Sequence, residues 1–195
     1  MKLATEVKHP MNYFTLLRNL FRSIGGGKFE LLYKEFLPLL PELLSGLMSM
    51  QSRGPQEIRD ICIELCLTVP ARLSSLLAYI PLLMKAVLLA LQAKDEGVTK
   101  LGLRTLEFWV DNLNPEYLYP HMCEVTCNCK SSWQVLSDLM RALCALLRPT
   151  PSAFGPTALN VLGKLGGRNR RFLTEAFNLK FREQVEEGVL LLVHG

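Results

Sequence analysis

The sequence predicts an all-α protein in which helix pairs stack into an α-solenoid. Three observations carry this prediction. Leucine dominates the apolar residues and β-branched residues are few, which favours helices over strands. Apolar side chains recur three or four positions apart in several long segments. Two leucine-rich segments, residues 33–47 and 78–91, also read alike, as the repeats of a solenoid do.

The composition indicates a globular chain of one or two domains. Of its 195 residues, 49% are hydrophobic and 21% are charged, so the chain can bury a core. The net charge of +4 allows an acidic partner without requiring one. Six irregularly spaced cysteines, the lack of a glycosylation sequon and an N-terminus without a signal-peptide core favour a reducing compartment with free thiols.

The first predicted helix ends at a glycine run. Its apolar side chains lie three or four positions apart, at Phe14, Leu17, Phe21 and Ile24. Residues 25–27 are glycines, which tolerate the left-handed conformation that caps a helix. The alternative is a phosphate loop of the form G-x-x-x-x-G-K-[ST], but Arg22 replaces its first glycine and Phe29 its hydroxyl. We therefore expect Gly25–Lys28 to be a turn.

A repeat connects the leucine-rich segments. Residues 36–38 (Phe-Leu-Pro) align with residues 79–81 (Tyr-Ile-Pro) at an offset of 43, and a long helix follows each triplet. A further step of 43 reaches Glu124, where the proline is lost. Two helices in about 43 residues match the HEAT or armadillo range. Neither helix of such a pair can bury its apolar face alone, so stacked pairs share one continuous core.

A differently patterned helix precedes each leucine-rich one. In residues 57–69 the predicted buried face comprises Ile58, Ile61, Cys62, Leu65, Cys66 and Val69. In residues 98–113 it comprises Leu101, Leu103, Leu106, Trp109, Val110 and Leu113. The solvent-facing side of this helix should carry Arg104, Glu107 and Asp111. Both helices end shortly before a proline, Pro70 or Pro115, which fits early in the next helix.

These patterns predict about four HEAT-like helix pairs in one solenoid over residues 11–173. The pairs cover residues 11–50, 55–93, 96–148, and 154–173 onward. We expect residues 1–10 to form an N-terminal segment and residues 174–195 a C-terminal helix or truncated repeat. Residues 126–135 read as an insertion that interrupts the third leucine-rich helix.

The stretch Leu73–Gln92 has about the length of a membrane span. Lys85 near its middle and Pro81 argue against one, because a lysine at the bilayer centre costs about 2.5–3.5 kcal/mol. The apolar residues also keep a helical spacing, at Leu76, Leu77, Ile80, Leu83, Met84, Val87, Leu88 and Leu91. We expect a buried amphipathic helix, and a membrane-associated helical protein is the alternative.

We predict no catalytic, cofactor-binding or metal-binding residue. The patterns G-x-S-x-G, H-E-x-x-H and G-x-G-x-x-G are absent from the sequence. Zinc could bind four clustered side chains, His121, Cys123, Cys127 and Cys129. Their spacing lacks the C-x-x-C pairs typical of structural sites, so we expect incidental thiols in an inserted loop. Cys62 and Cys66, one helical turn apart, should lie in the core. The alternative is a small nucleotide- or zinc-dependent enzyme built around Gly25–Lys28 or His121–Cys129.

A basic cluster lies late in the sequence, at Lys164, Arg168, Arg170, Arg171, Lys180 and Arg182. Phosphates or an acidic segment could bind it, but no aromatic residues interleave as in nucleic-acid modules. We expect a solvated helix start and no direct nucleic acid binding.

Four stretches, taken in order, resemble a known family. They are residues 9–47, residues 64–84, the string GLRTLEFWVDNLNPEYLY of residues 102–119, and the string VLGKLGGRNRRFL of residues 161–173. In these four stretches the chain resembles the pseudokinase branch of the phosphatidylinositol-kinase-related family. The resemblance covers about Glu6 to Leu173, which is most of the chain.

The resemblance implies a fragment of a giant helical-repeat scaffold that lacks kinase activity. It implies a HEAT solenoid in the nucleus, within histone acetyltransferase co-activator complexes that receive transcriptional activators. Protein partners are implied, without a cofactor, a small-molecule substrate or a membrane. The family's catalytic-like motifs have no matching positions here. The sequence departs from the family at Thr126–Val135, in the proline-rich residues 148–159 and beyond Leu173.

Overall fold

The computed structural model describes residues 10–25, 30–123, 135–148 and 152–168. Every regular element within these ranges is a helix. The predicted all-α class is therefore confirmed.

The helices follow one another in the order that the repeat predicts. The first pair comprises α1 (Met11–Gly25), α2 (Glu30–Phe36), a 3₁₀ turn (Leu37–Leu39) and α3 (Leu40–Arg53). The second comprises α4 (Gln56–Leu67), α5 (Leu73–Leu76), a 3₁₀ turn (Leu77–Tyr79) and α6 (Ile80–Leu91). The third comprises α7 (Glu96–Asn112), α8 (Pro115–Cys123) and α9 (Val135–Leu147). The described chain then continues through α10 (Gly155–Gly163) and a π-helical turn (Lys164–Arg168).

The helices stack in two layers. In the first layer α1, α4, α7 and α10 follow one another, and each packs against the next. The second layer contains α3, α6 and α9, of which α6 packs against α9. Contacts of α4 with α3 and α6, and of α7 with α6, join the two layers. Each pair thus buries its apolar faces against its neighbours, which is the packing of an α-solenoid.

The leucine-rich helices repeat at an offset of 40 residues, so the predicted offset of 43 is wrong. Pro41 and Pro81 occupy the same place in the first turn of α3 and α6, directly after a 3₁₀ turn. Buried side chains match at this offset, as Leu40 with Ile80, Leu44 with Met84, Leu47 with Val87 and Met48 with Leu88. A proline does not destabilise the helix there, because an N–H group in the first turn has no helical carbonyl as acceptor.

The buried faces agree with the predicted helical spacing. In α1, Phe14, Phe21 and Ile24 are buried, and the ring of Phe21 meets that of Phe36 edge to face at 5.7 Å between centroids. The core of the next two pairs includes Ile61, Cys62, Leu65, Cys66, Leu103, Leu106 and Trp109. These side chains belong to one continuous hydrophobic core.

The crossing of α6 and α7 requires a glycine. A Cβ atom placed on Gly102 would lie 2.7 Å from the Cβ of Ala90, nearer than two carbon atoms approach in a protein. The absence of a side chain at Gly102 lets the two backbones come close together. The start of α7 is also fixed, since the Asp95 carboxylate accepts a hydrogen bond from the Val98 N–H at 2.8 Å.

Tyrosine hydroxyls connect neighbouring pairs. Among the described residues, such bonds run from Arg72 N–H to Tyr33 Oη at 3.1 Å, from Tyr117 Oη to the Leu77 carbonyl at 2.6 Å and from Tyr119 Oη to the Leu165 carbonyl at 2.8 Å. Each joins residues 39 to 46 positions apart, which is about one repeat. These bonds supplement the apolar packing and help set the distance between successive pairs.

Candidate functional site

The segment before the glycine run is a helix. A phosphate-binding loop follows a strand, whereas α1 continues without interruption to Gly25. The rest of Gly25–Lys28 lies outside the described residues. The helix that precedes the run therefore favours the predicted structural turn over a nucleotide site.

The cysteine-rich stretch lies mostly outside the described residues. Cys127 and Cys129, like most of the predicted insertion at 126–135, lie outside the described residues, as do the side chains of His121 and Cys123. In the part of the chain that the structure describes, no three His, Cys, Asp or Glu side chains come together as metal ligands.

The described thiols lie in or near the core. Cys62 and Cys66 are buried, as predicted, and burial raises the pKa of each thiol to about 12. The neighbouring Cys62 also raises the pKa of Cys66. Burial raises the pKa of Cys144 as well, against the opposing charge of Arg148. A nucleophilic cysteine needs a lowered pKa, so none of these three thiols suits covalent catalysis.

Lys164 of the predicted basic cluster is neutralised by its neighbours. Its Nζ atom lies 2.8 Å from the Asp111 carboxylate and 3.1 Å from that of Glu107, both on α7. The hydrogen bond to Asp111, with that to Glu107, raises the pKa of the Lys164 ammonium. Asn160 also donates to Glu107 at 2.7 Å. The side chain of Arg168 is not described, and Arg170, Arg171, Lys180 and Arg182 lie outside the described residues.

The helical segment Leu73–Leu91 is long and apolar enough to cross a membrane by length and composition. Its C-terminal part, α6, packs against α4, α7 and α9. The buried residues of α6 are Ile80, Leu83, Met84, Ala86, Val87, Leu88, Ala90 and Leu91. A core helix of a helical-repeat protein has this pattern of contacts.

A groove of about 390 Å³ opens between α4, α5 and α7. Apolar side chains dominate its lining, and the buried Trp109 and Leu83 belong to it. Phe108 at its edge is 50% exposed, and Arg104 is the charged residue of the lining. The predicted apolar face of α7 omitted Phe108, because periodicity assigns this side chain to the flank of the helix.

A second groove, of about 280 Å³, lies between α1 and α4. An ion pair crosses it, from the Arg18 guanidinium to the Glu64 carboxylate. These two charges neutralise each other and tie successive helices of the first layer together. Arg22 also belongs to the lining of this second groove. The groove at α7 is larger and its lining is more apolar, which makes it the better candidate for binding another molecule.

Comparisons with known proteins place the fold in a family. Residues 1–150 match the Tra1 HEAT repeat central region. The chain is 50% identical over 182 residues to the human transformation/transcription domain-associated protein. The aligned residues make up 93% of this chain. It is 43% identical over 190 residues, 95% of its length, to the SAGA complex/NuA4 acetyltransferase complex subunit TRA1 of Saccharomyces cerevisiae.

The chain spans only 4% to 5% of the length of these relatives. The Drosophila melanogaster transcription-associated protein 1 is similar to the same extent, with 49% identity over 182 residues. The resemblance inferred from four sequence stretches is confirmed. The chain belongs to the Tra1 family and corresponds to part of that family's central HEAT repeat region.

Proposed function

We propose that this chain is a non-catalytic scaffold segment of a nuclear transcription co-activator subunit. It offers a protein-interaction surface to subunits of histone acetyltransferase complexes and to transcriptional activators. The observation that carries the proposal is the match to a HEAT repeat region in relatives whose names include SAGA and NuA4 acetyltransferase complexes. The stacked helix pairs of the described residues support it, because such stacks present extended surfaces to partners.

The function rests on shape and spacing. Successive pairs share one core and are tied by tyrosine hydrogen bonds, so partners that bind different pairs are held at fixed distances. The raised pKa values of Cys62 and Cys66 and the helix before Gly25 both support a segment without its own reaction. No cofactor and no small-molecule substrate form part of the proposal.

The proposed partners are proteins, with neither nucleic acid nor membrane. The pairing of Lys164 with Asp111 and Glu107 supports this, because a cation held by two carboxylates is a poor phosphate ligand. The packing of α6 inside the stack supports the absence of a membrane span.

The domain division is part of the proposal. One solenoid extends over residues 11–173, with residues 1–10 before it, an insertion near 126–135 and a further helix or partial repeat at 174–195. The order of the described helices, α1 to α10, supports the first three pairs of this division and the beginning of the fourth.

Affinity purification of the full-length gene product, followed by identification of the co-purifying proteins, tests the proposal. We expect acetyltransferase and chromatin subunits among them, and their absence would overturn the co-activator assignment. Metal analysis and nucleotide-binding calorimetry on the 195-residue chain test the enzyme alternative. Stoichiometric zinc, or a nucleotide bound more tightly than the millimolar range, would overturn the non-catalytic assignment.

A further inference from the structure

The groove between α4, α5 and α7 has two apolar walls. On one wall, α7 presents Leu101, Thr105 and Phe108, which are four and three positions apart and therefore share a helix face. The opposite wall consists of Leu67, Leu73 and Leu76. The volume of about 390 Å³ lies within the range of about 300–1,000 Å³ typical of ligand sites. The groove therefore has room for bulky apolar groups from another molecule.

The exposure of Phe108 is not explained by the stacking of helix pairs. Most of the exposed large apolar side chains that the structure describes belong to the first pair, namely Tyr13, Leu16, Leu20, Leu31, Leu32 and Leu39. Phe108 instead belongs to the third pair, and α7 has a neighbour of its own layer on either side, α4 and α10. A further repeat at either end of the stack would thus leave this half-exposed ring uncovered. An exposed aromatic group at the edge of an apolar groove is typical of a binding surface.

The charges along α7 differ between its two edges. On the edge toward α10, Glu107 and Asp111 are paired with Lys164. On the groove side, Arg104 is exposed and belongs to the lining of the groove. In the part of the chain that the structure describes, Arg104 has no carboxylate within ion-pair distance. The rim of the groove therefore complements an acidic group.

We propose that this groove binds a short amphipathic helix of a partner protein, with apolar side chains beside Phe108 and a carboxylate against Arg104. A helix is favoured over an extended peptide, since the described residues include no strand edge that a peptide could extend. The proposal rests on the proposed function as a protein-interaction scaffold. It adds the place where a partner binds and the chemistry of the segment that binds.

The test uses a labelled synthetic peptide of about 15 residues, long enough for a stable helix on binding. The peptide carries leucines three and four positions apart and glutamates elsewhere. A second peptide has lysine in place of each glutamate, and a third has a central proline that breaks the helix. Fluorescence anisotropy measures the binding of each peptide to the 195-residue chain.

Two groove variants, Phe108→Ala and Arg104→Glu, are compared with two matched controls. Leu159→Ala removes an apolar side chain that is 63% exposed on α10. Arg141→Glu reverses an Arg whose side chain is 79% exposed on α9. We expect each groove variant to weaken binding of the acidic peptide by about tenfold and each control by less than about twofold. Circular dichroism on heating should show that all four variants keep the helical fold, because the replaced side chains are exposed.

Three results would overturn the proposal: no binding of the acidic peptide, equal binding of the lysine peptide, or binding that both groove variants leave unchanged. Its failure is distinguishable from that of the proposed function. If the full-length protein with Phe108→Ala and Arg104→Glu retains its acetyltransferase subunits and the peptide does not bind, only the groove assignment is wrong. If the unmodified full-length protein retains none, the co-activator assignment is wrong whatever the peptide does.

Discussion

Replacing Gly102 by alanine should weaken the crossing of α6 and α7. The new methyl group would lie 2.7 Å from the Cβ of Ala90, and neither group can rotate away because both are attached directly to the backbone. Overpacking of this kind costs about 1–3 kcal/mol. Alanine also favours the helix over glycine by about 1 kcal/mol, so the net loss of unfolding free energy should be about 1 kcal/mol.

A second glycine separates the two effects. A Cβ atom on Gly163 of α10 meets nothing within 4 Å, so Gly163→Ala should gain up to about 1 kcal/mol from helix propensity without a clash. The two glycine-to-alanine variants should therefore differ by about 2 kcal/mol. For a chain of this size that is a difference of about 4–8 °C in Tm.

A compensating substitution tests the cause of the clash. In the double variant Ala90→Gly/Gly102→Ala, the methyl group moves from one helix to the other, and the short distance disappears. We expect the double variant to be more stable than the sum of its single changes predicts, by about 1–3 kcal/mol. Urea unfolding followed by circular dichroism gives the four free energies of the cycle. Equal stability of Gly102→Ala and Gly163→Ala, or no recovery in the double variant, would show that close packing does not require a glycine at this crossing.

Three further predictions concern polar and titratable groups. Tyr119→Phe should lower the unfolding free energy by about 1–2 kcal/mol in urea, because the carbonyl that its hydroxyl meets loses a buried partner; an unchanged midpoint would contradict this. Arg18→Met should cost up to about 1 kcal/mol, and Glu64→Gln should then add little, since the pair acts as a unit; equal costs in both backgrounds would disprove coupling. Above about pH 9 the unfolded chain loses thiol protons that Cys62 and Cys66 retain in the folded state up to about pH 12, so stability should fall as pH rises through that window. The variant with alanine at both cysteines should show a shallower fall between about pH 8 and about pH 10, and parallel curves would contradict the assignment.

Helical spacing predicts most of the buried faces of α1 and α4, because each helix packs its apolar stripe on a neighbour. On α4 it misses Ile63, which is buried, and it includes Ile58, which is only partly buried. The repeat itself was also visible in the sequence. Its register was not, since Pro38 and Pro41 both lie near the start of the leucine-rich helix. The position of the 3₁₀ turn and the matching buried side chains show that Pro41 is the equivalent of Pro81.

The charges of α7 could not be assigned from the sequence. Arg104, Glu107 and Asp111 all occupy the polar side of the helix, and periodicity gives all three the same solvent-facing place. The partner of the two acids is Lys164, more than 50 residues further along the chain, so the pairing depends on how the pairs stack. The exposure of Phe108 likewise depends on tertiary packing, because α4 and α5 line the groove beside α7.

The tyrosine bonds between pairs bear on how such a chain folds. Each joins residues about one repeat apart, and the helix contacts likewise join neighbouring pairs. The sequence separation of contacts therefore stays near one repeat however many repeats are added, and the entropy of closing a loop does not grow with chain length. A stack of such pairs many times the length of this chain can thus form by adding one pair to the last, with the difficulty of each step unchanged.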